Sequence, residues 1–201
     1  NRKEEYEYNN SVFPDRIILG IGDATVAVFS KSELVDNGDG SWGIADLSGE
    51  LWRWYKNTNP LETGNSLCDD EPFRNQLNPA RYSGFLVADN LIVTSGECAD
   101  TMDEEDMVFV FGFSAEDANS VVTTFDSSDV YFASEIKAVQ TGNPDWAVIE
   151  LDRNVTGHYS VPIRRSGEIA TSQELFTVGH PLGLARKYTD GGWVVNNSAE
   201  S

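Results

Sequence analysis

Positive charge is scarce in this sequence. Fourteen Lys and Arg face 33 Asp and Glu over 201 residues, for a formal net charge of -19. Nucleic-acid binding draws on Lys and Arg gathered into one patch that displaces phosphate counterions. The bases here are scattered, which excludes nucleic acid as a partner. Long apolar runs are missing too: none approaches the roughly 18 residues a membrane span needs. Cysteine occurs only at Cys68 and Cys98, far from the close spacing of a metal knuckle or redox pair. Histidine occurs only at His158 and His180. No cofactor and no metal centre is expected.

What is present is enough to fold. Hydrophobic residues make up 40% of the chain and aromatics 11%, ample for a packed core, so the acidity does not signal disorder. The length suits one fair-sized domain or two small ones. Acidic excess concentrates in residues 57 to 107, with 11 acids and 2 bases, chiefly in Asp69-Asp70-Glu71 and Asp100 to Asp106. These clusters read as solvated loops rather than calcium sites. The start, Asn1 to Glu5, is charged and has no apolar segment behind it, so no signal peptide is expected, although a mature chain would already have lost one. Sequons beginning at Asn9, Asn154 and Asn196, with few Lys and many Asn, Thr, Ser and Gly, point to a secreted or extracellular protein, the periplasm included.

Apolar runs are short, β-branched and separated by turn residues, the pattern of an all-β chain. Strands are expected at Thr25 to Phe29, Ser41 to Ile44, Gly84 to Ala88, Leu91 to Thr94, Met107 to Phe113 and Val121 to Phe125. Further strands are expected at Ile136 to Val139, Trp146 to Leu151, Leu175 to Val178 and Trp193 to Asn196. Asp36-Asn37-Gly38-Asp39-Gly40 supplies the positive-φ residues of a hairpin turn and lacks the ligand series of a calcium loop. Residues 57 to 80 read as loop, with Asn-Pro and Gly-Asn breakers. No segment offers an amphipathic helix of three turns.

Three segments carry chemistry. Ser83-Gly84-Phe85-Leu86-Val87 through Thr94-Ser95-Gly96-Glu97-Cys98 resembles the S-G-x-L-[VI] … T-A-[GA]-H-C hairpin of trypsin-like serine peptidases, the bacterial glutamyl-endopeptidase-like branch among them. Asp145-Trp146-Ala147-Val148-Ile149-Glu150-Leu151 resembles the strand that carries that family's triad aspartate, and Val178-Gly179-His180-Pro181-Leu182-Gly183 its V-G-[HY]-P-x-G strand. The three occur in family order and together span roughly residues 66 to 197. The resemblance implies two antiparallel six-stranded β-barrels, the second incomplete in this sequence. It implies an N-terminal arm at 1–23, a first barrel at 24–152, a connector at 153–172 and the start of a second barrel at 173–201.

The same resemblance implies a degenerate triad. Peptide hydrolysis in the family needs a serine nucleophile, an imidazole that takes and returns its proton, and an acid that orients the ring. Asp145 matches the acid, but Glu97 stands where the imidazole belongs. A glutamate ordinarily titrates near about 4.3, which makes it a poor proton donor at neutral pH. His180 falls on a structural position of its strand, and His158 is expected exposed in the connector. No G-[DN]-S-G-[GSP] occurs in the 201 residues, and Lys187 to Gly192 resembles the segment one hairpin upstream of that motif. The expectation is that the chain continues past Ser201, is one product of proteolysis, or is completed by another chain. The cysteine that would open the first hairpin is replaced by Tyr82, so Cys98 either bridges to Cys68 or both thiols are free.

The resulting reading is an inactive trypsin-like domain of a secreted protein with a binding, scaffolding or assembly role, and a protein or peptide partner. Self-association and a chain that completes the second barrel are versions of that partner. The alternatives are a serine endopeptidase whose serine lies outside these residues, and a structural subunit of an extracellular assembly, with Asn1 to Phe13 as an exchanged arm, or else as a propeptide remnant or an ordered tail on the same molecule.

Overall fold

The computed structural model describes residues 2–8, 13–51, 67–117 and 120–197. The sequon at Asn9, the third residue of the sequon at Asn196 and positions 57–66 of the expected loop lie outside the described residues.

Twelve strands form three sheets among the described residues. In chain order they are β1 (Arg2–Lys3), β2 (Thr25–Ser30), β3 (Leu34–Asp36), β4 (Ser41–Ile44), β5 (Tyr82–Ala88) and β6 (Leu91–Thr94). They continue as β7 (Met107–Val110), β8 (Thr124–Asp126), β9 (Val130–Gln140), β10 (Trp146–Leu151), β11 (Glu174–Gly179) and β12 (Lys187–Trp193). Six of these close an antiparallel barrel in the order β10-β6-β5-β2-β7-β9. Closure removes the free strand edges that an open sheet would expose. A three-stranded sheet, β3-β4-β8, lies on the barrel, and another, β1-β12-β11, follows it.

Alternation explains why β2 and β7 read as unbroken apolar runs. On β2, Val26 and Val28 point into the barrel core beside Leu86, Ile92, Phe109 and Ile149. The intervening Ala27 and Phe29 fill a second core with Leu34, Ile44, Val108, Val110 and Phe125. Both faces of these strands are therefore buried, and each side chain has an apolar partner whichever way the pleat points it. On β10 only Ala147, Ile149 and Leu151 are buried, and its run is interrupted by Glu150. The Asp36–Gly40 turn joins β3 to β4 as a hairpin. Gly38 and Gly40 sit at φ 76 and 90, and the Asp36 and Asp39 carboxylates accept bonds from the Gly38 and Ser41 N–H groups.

Two expectations need correction. Phe13–Asp23 forms a three-turn helix, α1, where none is expected. Gly20 and Gly22 weaken its propensity, but α1 gains its stability by packing on β2 and β11. Gly22 is required where α1 passes the Tyr188 side chain of β12, since a Cβ there would lie 2.0 Å from the Tyr188 hydroxyl. The last strand runs over Lys187–Trp193 rather than 193–196, because Val178 pairs with Tyr188 and Gly179 with Lys187. A second, shorter helix, α2, covers Gly96–Thr101.

Candidate active site

The antiparallel pairing of β6 with β10 places Thr94 opposite Ala147. Continued by two residues, that register sets Gly96 against Asp145. The approach is close: a Cβ on Gly96 would lie 2.2 Å from the Gln140 carbonyl oxygen and 2.7 Å from Asp145 Oδ1. Only glycine fits between backbone and carboxylate there. Chain direction then changes. The Ser95 hydroxyl accepts from the Cys98 N–H as the N-cap of α2, and Glu97 emerges in its first turn. Glu97 and Asp145, the two residues singled out from sequence, are thus brought to one rim of the barrel, and both are exposed. Among the described residues neither carboxylate has an ion-pair or side-chain hydrogen-bond partner.

Beside them opens a cavity of about 640 Å³. Ser95, Asp145 and Trp146 form part of its wall on the barrel side, Val161 and Pro162 come from the segment after the barrel, and Phe176 and Val178 come from β11. Phe176 and Val178 are two apart on one strand and therefore share a face. The wall is mostly apolar, with the Asp145 carboxylate at its edge.

The profile of the trypsin-like peptidase domain matches residues 82–199, the stretch that holds this rim and most of the cleft wall. The chain belongs to the trypsin-like peptidase domain family. Its closed barrel is that of the chymotrypsin-like fold. Solved structures it is similar to include the VesB protease of Vibrio cholerae, at 12% identity and a TM-score of 0.48, covering 94% of this chain and 43% of that one. The secreted serine protease VesC of Vibrio cholerae is 13% identical with a TM-score of 0.44, covering 93% and 30%. The scabies mite inactivated protease paralogue S-D1 is 14% identical with a TM-score of 0.39, covering 54% and 50%. The chain spans half or less of the length of these proteins. No curated protein matches it.

The two histidines of this trypsin-like domain sit elsewhere. His180 is 3% exposed, stacks on Phe113 and holds the Leu184 carbonyl through Nδ1 at 3.1 Å. Burial, with the Arg186 charge nearby, pushes its pKa down to about 3, so the ring is a neutral packing element. His158 is not exposed as expected. Its side chain is 12% accessible, stacked at 4.1 Å on Phe111, with Nδ1 2.9 Å from Asp23 and Nε2 3.1 Å from Asp129. Nothing near it in sequence announces this, because its partners lie 135 and 29 residues away.

Cys98 is buried and Cys68 exposed, and both are free thiols, so the expected alternative of a Cys68–Cys98 disulfide is not formed. Burial pushes the Cys98 thiol up to about 11 despite a hydrogen bond with Thr94. The cleft residues Val161, Pro162 and Phe176 were not legible as site residues. They meet the barrel only through the tertiary fold.

Proposed function

We propose that this trypsin-like domain is a pseudopeptidase of a secreted protein, which holds an extended segment of a protein partner in its cleft without cutting it. Glu97 carries the proposal. It occupies the position that the family resemblance gives to the imidazole, one residue from the glycine that packs on Asp145. Two acids at that rim supply no group that both takes a serine proton and returns it to a leaving amine at neutral pH. The triad is therefore broken at its base, whatever the source of the serine. Asp145 keeps the family's place without a ring to orient.

Binding is supported by the cleft and by β11. Among the described residues β11 pairs only with β12, so its other edge offers unpaired N–H and C=O groups beside the apolar wall of Phe176 and Val178. An extended apolar segment suits such a place, with main-chain hydrogen bonds to the edge and alternate side chains in the cavity. Secretion is supported by the sequons, of which Asn154 is exposed, and by the composition. We read residues 1–23 as an arm, 24–152 as the first barrel, 153–172 as a connector and 173–201 as the first strands of a second.

The test combines turnover with binding. Incubated with a library of extended fluorogenic peptides, the protein is expected to cleave none. Apolar members are expected to shift Trp146 fluorescence saturably, with affinity reduced about tenfold or more by Phe176→Asp, a loss of about 1.4 kcal/mol. Turnover that Glu97→Gln abolishes would make the domain a peptidase. Absence of saturable binding across the library would remove the binding role.

A further inference from the structure

Three consecutive residues of the N-terminal arm each meet a partner of opposite charge around the start of β12. β1 pairs antiparallel with β12, Lys3 opposite Tyr188, and the Lys3 ammonium reaches Asp190 at 3.1 Å. Glu4 turns inward. It is 1% exposed and lies 3.0 Å from Lys187 Nζ, whose side chain is equally buried. Gln76 bridges the pair, donating to Glu4 Oε1 at 2.7 Å and accepting from Lys187 Nζ at 2.8 Å. Glu5 pairs with Arg186, which also donates to the Gly22 carbonyl at 2.6 Å. The arm closes with Tyr8 against Tyr188, ring centroids 4.9 Å apart.

The receptor side is unusual for this chain. In a protein of net charge -19, Arg186 and Lys187 are adjacent and buried, at 4% and 2% exposure. A buried ammonium that loses its carboxylate is strongly unfavourable, so this pocket requires an acidic occupant. The arm brings little apolar area with it, Tyr6 being 45% exposed. Its recognition therefore rests on the order of charges, on two residues of strand pairing and on the Tyr8–Tyr188 ring contact.

We propose that the Arg186–Lys187–Gln76 pocket at the β12 edge is a docking site for a short segment bearing adjacent glutamates, a strand end that passes into the 3-10 turn Glu5–Glu7, filled in cis by residues 3–8 and open to the same segment of a second copy when the cis arm leaves. Seating of the arm covers the β12 edge, and its departure exposes that edge for strand addition. The site is separate from the cleft, so its test does not depend on whether the domain is silent.

A fluorescently labelled heptapeptide of residues 2–8 is added to the full chain and to Glu4→Gln/Glu5→Gln. Affinity for the double variant is expected to be at least about tenfold higher than for the filled wild-type site. It is expected to be lost when Lys187→Met is added, and absent for a peptide with Gln at both glutamates. Equal binding to wild type and variant, or binding that survives Lys187→Met or the Gln peptide, overturns the proposal. Hydrogen exchange on the wild type supplies a second measurement that needs no variant to fold. Amides of residues 3–8 and 187–190 are expected to open together at lower protection than those of β5 and β6. Exchange of these amides only with the whole barrel would show that the arm never leaves and overturn the proposal.

Discussion

His158 offers the sharpest test of the packing. Its ring lies between Asp23 at the end of α1 and Asp129 just before β9, and it ties the segment after the barrel to both. Burial of the ring pulls its pKa down, but the two carboxylates more than offset this, and the net direction is up from the ordinary value. The sign follows: protonation-linked stability is fully present below the unfolded-state value of about 6.5 and is lost as pH rises through the higher folded value. A hydrogen bond to a charged group contributes about 1.5–3 kcal/mol. The Asp23 and Asp129 side chains are 46% and 36% exposed, so solvent screening reduces each bond to about 1 kcal/mol. His158→Gln, which keeps a planar group over Phe111, is then expected to cost about 2 kcal/mol near pH 5.5, or roughly 4–8 °C in Tm for a chain of this length. Urea unfolding of wild type and variant from about pH 5.5 to 8.5, above the ordinary carboxylate range, reads the gap directly. The gap is expected to narrow as pH rises. A gap that stays constant or widens would refute a protonated ring held by two acids.

Other expectations follow from close contacts and burial. Gly96→Ala forces a methyl onto the Gln140 carbonyl and the Asp145 carboxylate, and is expected to cost roughly 1–3 kcal/mol in chemical denaturation; an unchanged midpoint would mean that the rim is looser than described. Native protein at about pH 8 is expected to react with a disulfide reagent at Cys68 alone, because the Cys98 thiol is buried and pushed up to about 11, and at both cysteines once unfolded. Two fast native equivalents, or none, would contradict this. Ile149→Ala, which empties a fully buried position in the barrel core, is expected to cost about 2–5 kcal/mol, whereas Val139→Ala at an exposed position of β9 is expected to stay within about 0.5 kcal/mol; equal effects would place the core elsewhere.

Much of the fold was legible before the structure, because its signals are local. The run Trp146–Leu151 alternates buried and half-buried positions as a strand must, and the Asn-Gly and Asp-Gly steps of Asp36–Gly40 make the turn between β3 and β4. The hairpin of β5 and β6, which leads into Glu97, was legible for the same reason: apolar runs flank a two-residue turn at Asp89-Asn90. Helix α1 escaped because its two glycines depress local propensity while its packing on β2 and β11 restores it. Propensity is summed along the chain, and packing is not.

By itself the sequence determined the chemistry available to this trypsin-like domain. An acid, Glu97, stands before Cys98 where the family resemblance places a histidine, and folding cannot change which groups are present. Only the tertiary structure decided which charges meet. Glu4 finds Lys187 across 183 residues and His158 finds Asp23 across 135. Such pairs are set by which distant segments the fold brings side by side, and a charge's identity carries no record of its distant partner. Desolvation then gives them their weight, because a charge that is ordinary in water becomes, once buried, a requirement for its opposite.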